Sequence, residues 1–346
     1  MIGFRAALVA ALVCSLVAPS PVVAQELTTI KVGILTSTTD APLWFADKLG
    51  YFRAEGINVE FLIFVSGENM IAPLGTGQLD VGGGAPAASL YNAVGRGIDV
   101  RLVADLGSDP PGYGFQQLIV RSDLVKSGRF KTIRDLKGMR LAINSGGSAA
   151  APQLARLIVK AGLKPTDITR LFIPYSQHEI ALKNASIDAS LTIEPYTSDT
   201  IRNGTAVKIA GNDSFYPYQQ LSALIYGNNF VKKNHELGVK FMRAYIKGAR
   251  YYNDSLLNGK IAGRNADDVI KILASETKLS DAVLRSIVPT GDNPNGRLNV
   301  SSLCDDFMYF KAQGLIEGTP TVEQAVDESF VAGALKGLGR YKPAAK

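Results

Sequence analysis

The chain has 346 residues, of which 46% are hydrophobic, and a formal net charge of +6. This length predicts two domains, each able to bury a core. The basic residues are scattered, without a block of like charges and without interleaved aromatic side chains, so the sequence does not favour nucleic-acid binding. Beyond the N-terminal segment, no apolar stretch approaches the roughly 20 residues that a membrane span needs. We therefore expect a globular protein with no nucleic-acid partner.

The first 24 residues have the three parts of a secretory signal peptide. Arg5 gives the positive n-region, residues 6–18 are almost wholly apolar, and Val22-Val23-Ala24 offers a signal-peptidase site. We predict cleavage after Ala24 and a periplasmic location. The alternative is a buried N-terminal helix. Cleavage would lower the formal charge to about +5.

The two cysteines argue against lipidation and against a disulfide. Cys14 follows a bulky Val13, where a lipoprotein signal needs a small residue, and cleavage there would leave a very short apolar region. The mature chain then keeps only Cys304, and one thiol cannot form an internal bridge. The fold must therefore be stabilised by its core.

The first part of the mature chain alternates predicted strands with helices. A helix begins near Ala41, with Thr39 or Asp40 as its N-cap and Pro42 in its first turn. Such alternation is typical of a mostly parallel sheet. The predicted strands are 30–35, 58–65, 80–84 and 100–104.

The same alternation restarts after a break rich in Pro and Gly, Asp109–Gly114. A strand at 221–226 returns to the first unit, and the chain is mainly helical from about Asn228. We therefore predict an α/β clamshell with a two-strand hinge, in which lobe II (111–221) is inserted into lobe I (25–110 plus 222–346). The strands of lobe II are 117–120, 139–143, 169–174, 189–193 and 207–210, and the later helices include 238–255, 266–275, 280–287 and 301–313.

Polar turns, most of them containing glycine, follow several predicted strands where a helix begins. In open α/β sheets, ligands bind in the crevice outside these strand ends. Helix starts offer free N–H groups, which suit polar or anionic ligands, and glycine permits close backbone approach. The alternative is that each turn is ordinary loop chemistry. The four turns are Thr36–Asp40, Ser66–Asn69, Gly83–Pro86 and Ser145–Ala149.

The chain has little that indicates catalysis. No dinucleotide or P-loop fingerprint is present, nor any H-E-x-x-H, C-x-x-C or G-x-S-x-G motif. His235 is predicted at an exposed helix start, and His178 either faces the cleft or is a polar residue at a helix N-terminus. We expect no metal and no cofactor, and a binding protein rather than an enzyme.

One acid and three aromatic residues are further candidates for the ligand-binding site. Glu194 ends a strand and precedes Pro195 and Tyr196, so it either accepts a ligand donor or pairs within its own lobe. Trp44, the sole tryptophan, either packs in the core with one edge toward the cleft or stacks on a ligand. Together with Tyr113, these rings make an aromatic ligand possible.

Several segments resemble one family. Residues 44–52 (WFADKLGYF), followed by 55–60 (EGINVE), resemble the opening of the nitrate, sulfonate, taurine and thiamine-precursor binding proteins of ABC importers. The motifs at 79–82, 135–138 and 187–189 also match. The resemblance implies a type II periplasmic binding protein, a monomer that closes on a small ligand. It also implies a permease partner in the inner membrane, driven by a separate ATPase.

The resemblance also nominates ligand-binding residues. The ligand is expected to be a small polar or anionic solute of sulfonate, carboxylate or nitrate type, although no Arg is obviously placed to grip an anion. One alternative is binding or synthesis of a thiamine pyrimidine precursor, yet that branch carries a Cys-rich signature and the mature chain would retain only Cys304. Another is a sensor partner of a membrane receptor. The nominated residues are Thr38, Thr39, Ser66, Gly67, Gly84, Ala85, Ser145, Gly147, Ser148 and Glu194, with Trp44, Tyr113 and Tyr196 as aromatic walls.

Overall fold

Ten strands form two five-stranded sheets in the computed structural model, which describes residues 26–342. The predicted signal peptide and its cleavage site lie outside these residues. Within this range, none of the helices has both the length and the apolar content that a membrane crossing requires.

The first sheet has the order β2-β1-β3-β10-β4. Strand β1 pairs in parallel with β2 and β3, whereas β10 is antiparallel to both β3 and β4. Only β10 therefore runs against the other strands. The bounds are β1 Thr28–Ile34, β2 Ile57–Ile63, β3 Val81–Gly84, β4 Arg101–Ser108 and β10 Gln220–Tyr226.

The second sheet has the equivalent order β7-β6-β8-β5-β9. Here β5 is the single reversed strand, antiparallel to β8 and β9, while β6 is parallel to β7 and β8. Both mixed sheets agree with the predicted α/β class, and every predicted strand overlaps an observed one. The bounds are β5 Gln116–Arg121, β6 Arg140–Ile143, β7 Thr169–Phe172, β8 Ala189–Ile193 and β9 Ala206–Gly211.

Helices cover both faces of the sheets, which explains why the central strands are continuous apolar runs instead of alternating ones. All seven residues of β10 are buried. The four predicted C-terminal helices are present as α9–α12. The helices α13 and α14 lie in the part of the chain that was predicted to be mainly helical, without bounds of their own. The short hairpin β11 (Leu256–Leu257) and β12 (Lys260–Ile261) was not predicted. The helices are α1 Ala41–Lys48, α2 Tyr51–Ala54, α3 Ile71–Thr76, α4 Ala88–Gly95, α5 Ser122–Lys126, α6 Ala150–Lys160, α7 His178–Lys183, α8 Tyr196–Arg202, α9 His235–Asn253, α10 Ala266–Thr277, α11 Asp281–Ser286, α12 Val300–Ala312, α13 Val322–Ala325 and α14 Ser329–Leu338.

The chain passes between the sheets through two adjacent segments, 109–115 and 212–219. Tyr218 N donates to Asp109 O at 2.7 Å, and Gly112 N donates to an Asp213 carboxylate oxygen at 2.8 Å. The Asn212 amide also donates to the Asp109 carboxylate. The two crossings are therefore hydrogen-bonded to each other. The lobe boundaries at 110/111 and 221/222 stay a prediction, and β10 already begins at Gln220.

Candidate ligand-binding site

A cavity of about 710 Å³ lies between loops of the two sheets. The first sheet contributes the loops that follow β1, β2 and β3, and the second contributes those that follow β6, β7 and β8. All six loops leave the carboxyl ends of parallel strands, which is where α/β sheets bind ligands. The cavity therefore lies where the polar turns were expected to meet.

The loop after β1 is fixed by Asp40. Its Oδ2 accepts from Leu35 N at 3.1 Å and from Ser37 N at 3.0 Å, and burial raises the pKa of this carboxyl to about 7. This arrangement holds Thr38 and Thr39 at the cavity wall. Thr38 is only 2% exposed, and its Oγ1 has no hydrogen-bond partner among the described residues. This hydroxyl therefore has unused hydrogen-bonding capacity at the cavity wall.

The opposite wall carries a chain of hydrogen bonds. Gln116 Nε2 donates to Tyr175 OH at 3.0 Å, and Tyr175 OH donates to Asn144 Oδ1 at 2.9 Å. Ser148 Oγ donates to the same Asn144 oxygen at 2.7 Å. Gln116, Asn144 and Tyr175 were not nominated from the sequence, although Asn144 and Tyr175 directly follow predicted strands. These hydrogen bonds hold the polar side chains on this side of the cavity in fixed orientations.

Glu194 has one of the two roles that the sequence left open, because it pairs within its own lobe. Its Oε2 accepts from Ser198 N at 3.1 Å in the first turn of α8, and its Oε1 accepts from Gln117 Nε2 at 3.0 Å. It also lines the cavity, although only 2% of it is exposed. Burial raises the pKa of Glu194, and the hydrogen bonds from Ser198 and from Val288 N, which donates to Oε1 at 3.5 Å, oppose that shift. The carboxyl group is thus anchored at a fixed position in the wall.

His178 is a buried residue at the start of α7 and does not line the cavity. Since the Ile173 carbonyl can only accept, Nε2 carries the proton and donates to it at 2.8 Å, while Nδ1 accepts from Ser190 Oγ at 2.5 Å. The ring stands edge-on to Tyr175, with centroids 5.3 Å apart. His178 therefore supports the Tyr175 wall from behind.

We expect the His178 imidazole to stay neutral across the physiological pH range. Burial lowers its pKa to about 4 from the usual 6.5. Because the unfolded chain binds this proton more readily, the group removes stability as the pH falls from about 6.5 to about 4. Two-dimensional NMR of the imidazole nitrogens should show no titration above about pH 5.5. A midpoint near 6.5 would contradict this buried environment.

Nine of the nominated residues line the cavity and four do not. Trp44 is 1% exposed and packs in the core of the first sheet. Gly84 lies behind Gly67, where a Cβ would stand 2.7 Å from the Gly67 Cα, and the Gly147 carbonyl accepts from Ala88 N at 3.3 Å. Tyr113 lies in the first crossing. The nine are Thr38, Thr39, Ser66, Gly67, Ala85, Ser145, Ser148, Glu194 and Tyr196, and their ligand roles stay predictions.

The charged residues of the cavity wall are all acidic. Among the described residues, Glu68 and Glu194 line it, and no Lys, Arg or His does. Residues 26–342 also contain no group of three or more His, Cys, Asp or Glu side chains placed to hold a metal ion.

The two sheets and the cavity between them define the fold of periplasmic binding proteins. The chain belongs to the NMT1/THI5-like family, whose model matches residues 37–255. A solved structure with this fold is the alkanesulfonate-binding protein SsuA from Xanthomonas axonopodis pv. citri, bound to MOPS. It has a TM-score of 0.68 and 21% identity, and the match covers 87% of this chain and 99% of that one.

Two curated relatives match shorter stretches. A putative aliphatic sulfonates-binding protein of Escherichia coli K12 is 27% identical over 42% of this chain and 43% of its own length. A 4-amino-5-hydroxymethyl-2-methylpyrimidine phosphate synthase of Schizosaccharomyces pombe is 31% identical over 44% of this chain and 41% of its own length. The chain thus spans less than half of the length of either relative. One relative is named as a binding protein and the other as an enzyme.

Proposed function

We propose that the protein is the periplasmic substrate-binding component of an ABC-type importer. It captures a small polar organic solute between two lobes and delivers it to a membrane permease that a separate ATPase drives. The observation that carries this proposal is the cavity, because its lining comes from strand-end loops of both sheets. A ligand held by both sets of loops favours the closed arrangement, as in hinge-closing binding proteins.

The adjacent crossings support hinge closure. Both run between the sheets at one place and are bonded to each other through Asp109. Two short adjacent connections allow rotation of 25–110 plus 222–346 against 111–221 with little change inside either sheet. The predicted export after Ala24 would place this cycle in the periplasm.

The proposal is tested by ligand binding to the mature chain, residues 25–346. We expect at least one compound in a panel of sulfonates, carboxylates, nitrate and aminopyrimidines to raise the melting temperature. Thr38→Val should then weaken binding by up to about tenfold, since a neutral hydrogen bond contributes on the order of 1 kcal/mol. Thr76→Val, which alters a hydroxyl bonded within α3, is the matched control. A panel without any shift would contradict the proposal.

The names of the synthase relatives make precursor synthesis the competing function. That function would need a reactive group in the cavity, and the one histidine of the second sheet is buried behind Tyr175. Among the described residues, the groups that line the cavity are hydroxyls, amides, carboxylates and aromatic rings. Such a wall suits binding, and turnover of an added aminopyrimidine precursor would favour the synthase instead.

A further inference from the structure

Two buried carboxyl groups lie beside each other outside the cavity, near the base of the first crossing. Asp105 is 2% exposed and Asp292 is 8% exposed, and neither of them lines the cavity. Asn293 N donates to Asp105 Oδ2 at 2.5 Å, which brings the two acids together. No Lys, Arg or His of residues 26–342 lies close enough to compensate either charge. The core of the first sheet therefore contains an acidic pair without a basic partner.

The two carboxyl groups differ in their hydrogen bonds. Asp105 Oδ1 accepts from Gly107 N at 3.1 Å and from the Gln220 amide. Together with the Asn293 bond, these donors stabilise the ionised form of Asp105. Both oxygens of Asp292 are buried and have no hydrogen-bond partner among the described residues. Burial and the charge of Asp105 raise the pKa of Asp292 well above its usual value, so this carboxyl group needs a cation or a proton beside it.

A buried hydroxyl group lies on the same side as Asp292. Gly291 pairs with the end of β4 through two backbone hydrogen bonds of 2.7 and 2.9 Å. Alternate side chains of an extended segment share one face, so Thr290 and Asp292 point to the same side. Thr290 is 0% exposed, and its Oγ1 has no partner among the described residues. This oxygen lies 3.7 Å from where a Cβ on Gly107 would stand, and the Gly107 amide is bonded to Asp105.

These oxygen atoms suit a hard divalent cation. A carboxylate has about four acceptor positions, so all of those on Asp292 remain and Asp105 Oδ2 keeps one. Two carboxylates carry a charge of about −2, which a divalent cation neutralises, and this removes the cost of burying them unpaired. Ca²⁺ takes about six to eight oxygen ligands in flexible geometry, whereas Mg²⁺ demands a near-ideal octahedron. Carbonyl and water oxygens can complete the coordination that two acids and one hydroxyl begin.

We propose that Asp105, Thr290 and Asp292 form a binding site for a divalent cation of the calcium type, separate from the ligand cavity. The cation joins the segment that follows α11 to the end of β4, where the chain leaves the first sheet. It therefore stabilises the first sheet next to the hinge. The proposal does not depend on which solute the cavity binds, or on whether it binds one.

The test measures melting temperature with calcium as the probe. The mature chain is treated with EGTA, freed of the chelator and kept near neutral pH. Calcium chloride at millimolar concentration should then raise the melting temperature by at least about 3 °C, because a cation that binds only the folded chain stabilises it. Sodium chloride at the same ionic strength should leave the melting temperature unchanged.

Variants assign the effect to the site. Asp292→Asn keeps the shape of the side chain and should reduce the calcium shift to less than about 1 °C. Without calcium, this variant should melt no lower than the unaltered protein, because it no longer buries an unpaired carboxylate. Thr290→Val should weaken calcium binding about tenfold in titration calorimetry, and it tests the site even if Asp292→Asn does not fold. Asp268→Asn, at an exposed acid of α10, is the matched control and should keep the full shift.

Three results would overturn the proposal. The first is a melting temperature that calcium does not change. The second is stabilisation at low pH without any calcium response, which would show that Asp292 holds a proton instead. The third is a calcium response that persists in Asp292→Asn, which would place the cation elsewhere. None of these results bears on capture of a solute in the cavity, which the ligand panel decides separately.

Discussion

Replacing Gly248 by valine is expected to lower the free energy of unfolding by at least about 3 kcal/mol. Gly248 lies where α9 crosses α1, and a Cβ there would stand 2.2 Å from Pro42 O and 2.9 Å from Ala46 N. Both neighbours are backbone atoms, so no side-chain rotation relieves the overlap. The helices must separate, which opens the core around Trp44. Urea unfolding followed by circular dichroism measures the loss.

Gly337→Ala is the matched control, because it also adds a Cβ atom to a helical glycine. The nearest atom to its new Cβ is Arg243 Cδ at 3.8 Å, an ordinary contact. Alanine has the higher helix propensity, so we expect a gain of about 0.5–1 kcal/mol. If the free energy of unfolding of Gly248→Val lies within about 1 kcal/mol of that of the unaltered protein, the close packing of α1 on α9 is contradicted.

Asp306→Asn is expected to reduce the pH dependence of stability. Asp306 is 1% exposed, and its carboxylate accepts from Tyr216 OH at 2.7 Å and from Gln219 Nε2 at 2.8 Å. Burial nevertheless raises its pKa from 3.8 to about 7. Asp306 therefore connects α12 to the second crossing at the cost of burying an ionisable group.

The sign of the effect follows from proton binding. Between about pH 4 and pH 7 the folded chain binds the Asp306 proton and the unfolded chain does not, so stability falls as the pH rises. The full loss for this group is roughly 4 kcal/mol. Urea unfolding at about pH 4.5 and about pH 7 should show a smaller difference for Asp306→Asn than for the unaltered protein.

The neighbouring Asp305→Asn is the control for this measurement. Its side chain is half exposed and pairs with Arg156 at 2.8 Å, a surface contact that contributes little to stability. We expect its stability to change with pH as that of the unaltered protein does. If both variants reduced the pH dependence of stability equally, this dependence would not arise from Asp306.

The sheets were predictable because each strand carries its own signal. The apolar runs and the Gly-rich turns after them are local features, and they located every strand of both sheets. The helices α13 and α14 were expected only as part of a mainly helical region, without bounds, because their segments are short or rich in Ala and Gly. Their helical state depends on packing, for example of Phe330 against Tyr226, with ring centroids 4.8 Å apart.

The cavity wall was predictable only in part. Turns that follow parallel strands share one edge of a sheet, so Thr38, Ser66 and Ser148 could be placed together from their positions in the sequence. Gln116 belongs to the reversed strand β5, and it reaches the cavity because β5 pairs with β8 in an antiparallel register. The sequence carries no local mark of that pairing. Trp44 was nominated because it is aromatic, but it packs in the core.

The charge of the wall was the hardest property to predict. The free N–H groups at the helix starts and the family resemblance both directed attention to anions. What matters to a ligand is which side chains reach the cavity, and this depends on contacts between segments that are distant in sequence. Glu68 and Glu194, separated by more than a hundred residues, acquire their shared role only when the two sheets face each other.

The pairing of β4 with β10 has a consequence for how the chain can be divided. Ser108 and Gln220 are cross-strand partners, so the point where the chain leaves the first sheet lies beside the point where it returns. A two-residue turn is enough to join antiparallel partners at that spacing. Strands β4 and β10 could then be joined directly as a hairpin, without residues 109–219. Alternatively, residues 109–219 could be replaced by the corresponding unit of another protein. The part of the cavity wall that lies on the second sheet could thereby be exchanged between proteins as one unit.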